Sequence, residues 1–144
     1  MAGEASATIL IVDDETAILE FVGEALCEEG YSVVLATTLA EALAALAAHR
    51  VDLVLADSLL PPPLAYTDQQ WDALRQILRH AGLAPVIIFT AYQPAFFADY
   101  RKYGFHELLL KPFDLEQLLT RVRAYLTGVY TEPATTALPA PNLG

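Results

Sequence analysis

Apolar runs and helical patterns alternate five times along this chain. The first run, Ala7-Thr8-Ile9-Leu10-Ile11-Val12, is short, rich in β-branched residues and free of charge. That is the pattern of a parallel strand buried on both faces. It ends in Asp13-Asp14-Glu15. A helix follows from about Thr16 to Glu29, with Ile18, Phe21, Val22, Ala25 and Leu26 as its buried stripe and Gly30 as its stop. Tyr31 to Ala36 predicts a second strand. Thr38-Leu39-Ala40-Glu41 is a capping-box sequence opening a second helix that runs to about His49. Val51 to Ala56 predicts the third strand, which ends at Asp57. Pro61, Pro62 and Pro63 exclude helix from the following loop. Asp68 is placed to cap a third helix with Trp71, Leu74, Ile77 and Leu78 on one face, ended by Gly82. Pro85 to Phe89 is the fourth strand, followed by Thr90. A fourth helix starts near Pro94, a residue suited to a first helical position, and ends at Gly104. Phe105 to Leu110 is the fifth strand and leads into Lys111-Pro112. Asp114 caps a last helix with Leu115, Leu118, Leu119, Val122 and Leu126 inward, stopped near Gly128.

Five β-α units predict an α/β fold, a doubly wound five-stranded parallel sheet of (βα)5 type. The folded unit is expected over 7–128. The stretch 129–144 carries Pro133, Pro139 and Pro141 and reads as a flexible tail or linker stub. A chain of 144 residues, 55% hydrophobic, is long and apolar enough for one sizeable core. Its 18 acidic and 8 basic residues leave a net charge of −10, which repels nucleic-acid phosphates and anionic lipid. Direct nucleic-acid binding and membrane association by this chain are therefore disfavoured. No basic residue precedes the first apolar run, so it is not a secretory signal. The longest uncharged run, Ala81 to Ala98, contains Gly82, Pro85 and Pro94 and reads as strand plus loop. A lone cysteine, Cys27, cannot form an internal disulfide, which suits the cytoplasm; at its helical position it reads as a small, partly buried residue.

The strand ends carry the chemistry. Asp13 and Asp14 end the first strand, Asp57 the third, Thr90 the fourth and Lys111 the fifth. In a parallel sheet all five project from one edge, where ligands bind. If strands one and three are neighbours, three carboxylates crowd one pocket and destabilise the fold unless they are neutralised. A hard divalent cation such as Mg2+ does this with few protein ligands, because it keeps several waters. Three carboxylates, one divalent cation and Lys111 sum to zero charge. A carboxylate, a metal, an ammonium and a hydroxyl around one point form a phosphoryl site. Asp14 is also placed to cap the first helix. Glu15 adds negative charge and is expected to be solvated. His49, His80 and His106 lack metal-ligand spacing.

Over roughly Thr8 to Leu126 the sequence resembles the receiver domain of two-component response regulators. The resemblance rests on "ILIVDDE", "VDLVLADSLLP", "PVIIFTA" and "LLLKPF", in order and near family spacing. It implies the strand order 2-1-3-4-5 and Mg2+ bound by Asp13, Asp14, Asp57 and the backbone carbonyl of Leu59. It also implies that a histidine kinase or phosphotransfer protein phosphorylates Asp57, with Thr90 and Lys111 stabilising the phosphoryl group. Such a domain is a switch, not a turnover enzyme. Three departures stand out. Leu108 occupies the switch position, where the family usually has Tyr or Phe. The loop after Asp57 reads Pro61-Pro62-Pro63-Leu64-Ala65 in place of the family's proline-to-glycine stretch. Leu59 and Tyr92 occupy the two positions flanking the approach of water, and neither side chain is suited to orient a water there.

Half of the chain's aromatic residues fall between Phe89 and Phe105. Phe89 and Phe105 read as core. The adjacent Phe96 and Phe97 cannot both be buried by one helix, so an exposed apolar patch is expected there, with a possible homodimer through the face of the fourth and fifth helices. The competing function is a degenerate receiver that acts as a phosphorylation-independent interaction module. An aspartate-nucleophile phosphatase would need a second aspartate where Glu15 stands. A flavin-binding protein would need a glycine- and hydroxyl-rich loop where the sequence reads "DDETAI".

Overall fold

The computed structural model describes residues 6–57, 68–90 and 99–127. The elements are β1 (Thr8–Val12), α1 (Thr16–Glu28), β2 (Ser32–Ala36), α2 (Leu39–Ala48), β3 (Leu53–Ala56), α3 (Asp68–Ala81), β4 (Val86–Thr90), β5 (Glu107–Leu110) and α4 (Leu115–Thr127). All strand pairs are parallel and the sheet order is β2-β1-β3-β4-β5. This is the order that the resemblance implies. Leu59, Tyr92, the Pro61–Pro63 loop, the start of the expected fourth helix with Phe96 and Phe97, and the 129–144 stretch lie outside the described residues.

Side chains alternate across each strand, so the sheet has two apolar faces. On one, Leu10, Val12, Val54, Val86, Ile88 and Leu108 pack with Ala42 and Ala45 of α2 and Trp71, Leu74 and Ile77 of α3. On the other, Ile9, Ile11, Leu53, Leu55, Ile87, Phe89 and Leu109 pack with Leu19, Val22 and Leu26 of α1 and Leu118, Leu119 and Val122 of α4. The central strands β1, β3 and β4 are buried on both faces, which is why they read as uninterrupted apolar runs.

Several local expectations are corrected. The buried line of α1 is Leu19, Val22, Gly23 and Leu26, and Phe21 stands 54% exposed. The helix lies on the sheet with Gly23 toward β2, where a Cβ would meet Leu35 Cδ2 at 3.5 Å and Val33 Cγ1 at 3.7 Å, so the stripe is rotated toward that side. The same rotation leaves Cys27 exposed, not partly buried. At α2 the cap is divided between two threonines. Thr38 Oγ1 accepts from the Glu41 amide at 3.0 Å, whereas the Glu41 carboxylate accepts from the amide and hydroxyl of Thr37, at 2.7 and 2.9 Å. Of the expected fourth helix only its end is described: residues 99–104 form turns that close as a helix end does, with the stop at Gly104 as expected. The Phe105 amide donates to Tyr100 O at 3.1 Å and the Gly104 amide to Arg101 O at 3.0 Å, with Gly104 at φ 105°.

One polar residue is buried far from the strand-end carboxylates. Glu107 opens β5 with no solvent exposure, on the α4 side of the sheet. Arg121 of α4 pairs with its Oε2, and the Tyr125 hydroxyl lies 2.9 Å from its Oε1. Removing one member of such a pair leaves a charge without its counterion in a dry site. Arg121→Ala is expected to lower the unfolding free energy by about 3 kcal/mol, read from urea denaturation. A loss below about 1 kcal/mol would place the pair among exposed ones.

Candidate phosphoryl site at the sheet edge

The strand ladder continues one residue past the strands that carry the site. The Asp13 amide donates to Ala36 O at 3.0 Å, Asp57 to Val12 O at 2.8 Å, and Lys111 to Thr90 O at 2.8 Å. Each functional residue is therefore pinned to a neighbouring strand before its side chain begins. Alternation then sorts the side chains. Asp13, Asp57 and Lys111 continue the parity of Ile11, Leu55 and Leu109, on the α1–α4 face. Thr90 follows Ile88 onto the α2–α3 face, which Leu108 shares.

Asp13 is fully buried, Asp57 is 6% exposed and Thr90 fully buried, while Asp14 is exposed. One carboxylate oxygen from each of Asp13, Asp14 and Asp57 lies within 4.8 Å of the others. Lys111 Nζ reaches into this group: 2.6 Å from Asp13 Oδ2, 3.4 Å from Asp57 Oδ1 and 3.5 Å from Glu15 Oε1. Its ammonium also lies over the Phe89 ring, 5.1 Å from the centroid. Four of the five expected site residues, Asp13, Asp14, Asp57 and Lys111, thus converge. Thr90 stands at the end of the adjacent strand, on the other face.

Two roles differ from the sequence reading. Asp14 does not cap α1. The N-cap is Glu15 without a side-chain cap bond, and it is Asp13 Oδ1 that accepts the Glu15 amide, at 2.9 Å. Glu15, read as solvated, is 64% exposed yet forms an ion pair with Lys111. Leu108 is 2% exposed, packed in the same cluster as Trp71, Tyr100 and Phe105. It fills apolar volume beneath the α2–α3 layer.

Burial pushes the Asp13 carboxyl above its ordinary value, and the neighbouring Glu15 charge adds to the rise. The hydrogen bonds from Lys111 and the Glu15 amide, with the Lys111 charge, offset part of it. For Lys111, burial pulls the ammonium down, but the Asp13 hydrogen bond and the charges of Asp57, Asp13 and Glu15 together hold it above 10.5. The lysine stays charged at any physiological pH. The chemistry of this donor set fits a hard divalent cation: three carboxylates close together, acceptor oxygens only, no thiolate or imidazole among them.

Comparisons with known proteins agree with this geometry. A family profile described as response regulator receiver domain matches residues 9–123. The response regulator MprA of Mycobacterium tuberculosis (strain ATCC 25618 / H37Rv) is 34% identical over 136 residues, covering 90% of this chain and 54% of that protein. The probable transcriptional regulatory protein TcrX of the same strain is 32% identical over 130 residues, covering 86% and 52%. The chain thus spans about half the length of these curated relatives. Among solved structures, a CheY-like receiver domain protein from Methanospirillum hungatei JF-1 superposes with a TM-score of 0.74 at 28% identity, covering 87% of this chain and 97% of that one. The chemotaxis protein CheY4 of Vibrio cholerae gives 0.70 at 27% identity, covering 85% and 100%.

The raised Asp13 value fixes a pH dependence. Its contribution to stability is full below 3.8, the unfolded-state value, and is lost as pH rises through the higher folded-state value. Asp13→Asn is therefore expected to melt higher than the wild type at pH 7 without divalent cations. The advantage should shrink as pH falls toward 4. Thermal melts at the two pH values test this; an equal difference at both would contradict it.

Proposed function

Because the chain belongs to the response regulator receiver domain family, we propose that Asp57 accepts a phosphoryl group from the phosphohistidine of a sensor kinase or phosphotransfer protein. The observation that carries this reading is the Lys111 ammonium bridging Asp13 and Asp57 inside a cluster of three carboxylates. Asp57 is the nucleophile because it matches the family's phosphorylated aspartate at the end of β3, with Asp13 and Asp14 together at the end of the neighbouring β1 to hold the cation. When bound, Mg2+ supplies positive charge to the oxygens of the transferred group. An Asp57 carboxylate oxygen forms the new bond to phosphorus. The bond from phosphorus to the imidazole nitrogen breaks, and the imidazole leaves and takes up a proton. Lys111 pairs with one phosphoryl oxygen, exchanging part of its contact with Asp57 for the new charge. The Thr90 hydroxyl donates to another when its side chain turns toward the site.

Within this proposal the domain occupies 7–128, with 129–144 a tail or linker. The Leu59 backbone carbonyl would be a further ligand to the cation, as the resemblance implies. The output is a change in a partner surface rather than turnover of a substrate. Leu108 provides no ring or hydroxyl to present at that surface, so the readout runs through the loops and the fourth and fifth helices of the (βα)5 pattern, where a homodimer is one form it takes. Among the described residues no helix is long and apolar enough to cross a membrane. A cytoplasmic location, read from the lone cysteine, and the lack of direct nucleic-acid contact, read from the charge of −10, belong to the same proposal. The printed names of several relatives describe transcriptional regulators, and that activity belongs to those longer proteins.

Acetyl phosphate with Mg2+ is expected to add one phosphoryl group, seen by intact-mass spectrometry, and Asp57→Asn to abolish it. Undiminished labelling of Asp57→Asn would end the assignment. Water attacking the aspartyl phosphate needs a hydrogen-bonding group to align it. The Leu59 side chain has no donor or acceptor, and the other flanking position carries the bulky Tyr92, so the phosphorylated state should decay slowly. Leu59→Asn is expected to speed the decay about tenfold, less than the roughly 10²–10⁴-fold of a positioned acid or base because an amide orients the water without taking its proton. Rapid wild-type decay, unaltered by Leu59→Asn, would show that neither side chain governs the lifetime.

A further inference from the structure

We infer that Phe89 is a positioning residue for this site, holding the Lys111 ammonium in place through the face of its ring; the inference rests on the phosphoryl transfer proposed above. The ammonium lies 5.1 Å from the ring centroid, inside the range of a cation–π contact. Both partners are shielded from water: Phe89 is fully buried and the Lys111 side chain is 12% exposed. The placement follows from the sheet. Phe89 pairs with Leu109 in the β4–β5 register, and Lys111 is two residues further along on the same face. The lysine stem therefore rises over the ring. Phe113, two residues past the lysine, packs against Phe89 at 6.0 Å between centroids and 44° between planes, which fixes the tilt of the ring.

The carboxylates alone do not hold the lysine throughout a transfer. Lys111 draws on Asp13, Asp57 and Glu15, all on its acidic side. A divalent cation competes for two of these three groups, and phosphorylation converts one. At that moment the attraction that placed the ammonium weakens, and a four-carbon stem has the freedom to swing toward solvent. The quadrupole of a buried ring is neither ligated nor titrated. It keeps the ammonium beside Asp57 while the carboxylates change partners.

A buried phenylalanine on a central strand is also core, so the test must separate ring electronics from ring volume. Site-specific replacement of Phe89 by phenylalanines carrying one, two and three ring fluorines weakens the negative face stepwise at nearly constant size. In saturating Mg2+ with acetyl phosphate, the phosphorylation rate is expected to fall stepwise, about threefold over the series, with flat melting temperatures. Without metal or donor, the ε-methylene protons of Lys111 should show an upfield ring-current shift in the wild type that Phe89→Leu abolishes. Equal rates across the series overturn the inference while leaving phosphorylation of Asp57 in place. A wild type with an ordinary ε-methylene shift overturns it as well. A wild type that accepts no phosphoryl group removes the underlying reading, and this inference with it.

Discussion

Crowded negative charge at one edge of a parallel sheet is the constraint on which the rest of this protein turns. Parallel strands send all their carboxyl ends to the same side, and here two of those ends, of β1 and β3, bring three aspartates to within 4.8 Å of one another. Their mutual repulsion is opposed by Lys111, whose reach from β5 across β4 and β3 to Asp13 ties the last strand to the first. The interaction is bought with burial of a carboxylate whose ionisation the fold resists. A site built this way is poised: it holds more negative charge than its lysine offsets and gains from a cation.

The sheet also separates two kinds of work. On the α1–α4 face lie the groups that meet charge, Asp13, Asp57 and Lys111. On the α2–α3 face, Leu108 and the aromatics Trp71, Tyr100 and Phe105 form a dry layer under Thr90. Thr90 is the residue at which the two meet, since its backbone carbonyl accepts the Lys111 amide while its side chain belongs to the other face. Any shift of Thr90 toward the phosphoryl group is felt directly by the apolar layer. That layer includes a tryptophan whose ring is tilted against Tyr103 and Phe105, with centroids 4.5 and 5.7 Å away.

The architecture and the convergence of the site were legible because both depend on features with strong local signals. Buried parallel strands leave continuous apolar runs, and strand ends are marked by the residues that stop them. The details that escaped depend on neighbours. Phe21 and Leu19 are both apolar on α1, and the way the helix lies against β2, with Gly23 toward Val33 and Leu35, decides which faces inward. Glu15 and Asp14 are adjacent acids after one strand. Which of them meets Lys111 at 3.5 Å depends on how α1 leaves the sheet. The burial of Glu107 was hidden for the same reason, since its partners Arg121 and Tyr125 lie a whole helix away in sequence. Phe89 was correctly read as core. Its contact with the ammonium follows from the β4–β5 register, which the sequence does not state.

That register has a safeguard. β5 is four residues long and forms an edge of the sheet, a short element with little pairing of its own. A slip by one residue would turn every side chain to the opposite face. Glu107 would leave Arg121 for the apolar layer beneath α2 and α3, and Lys111 would lose the aspartates. Charges of opposite sign at the two ends of the strand thus act as a gauge that admits one alignment. The placement of the lysine is protected against error by a glutamate that never touches the site.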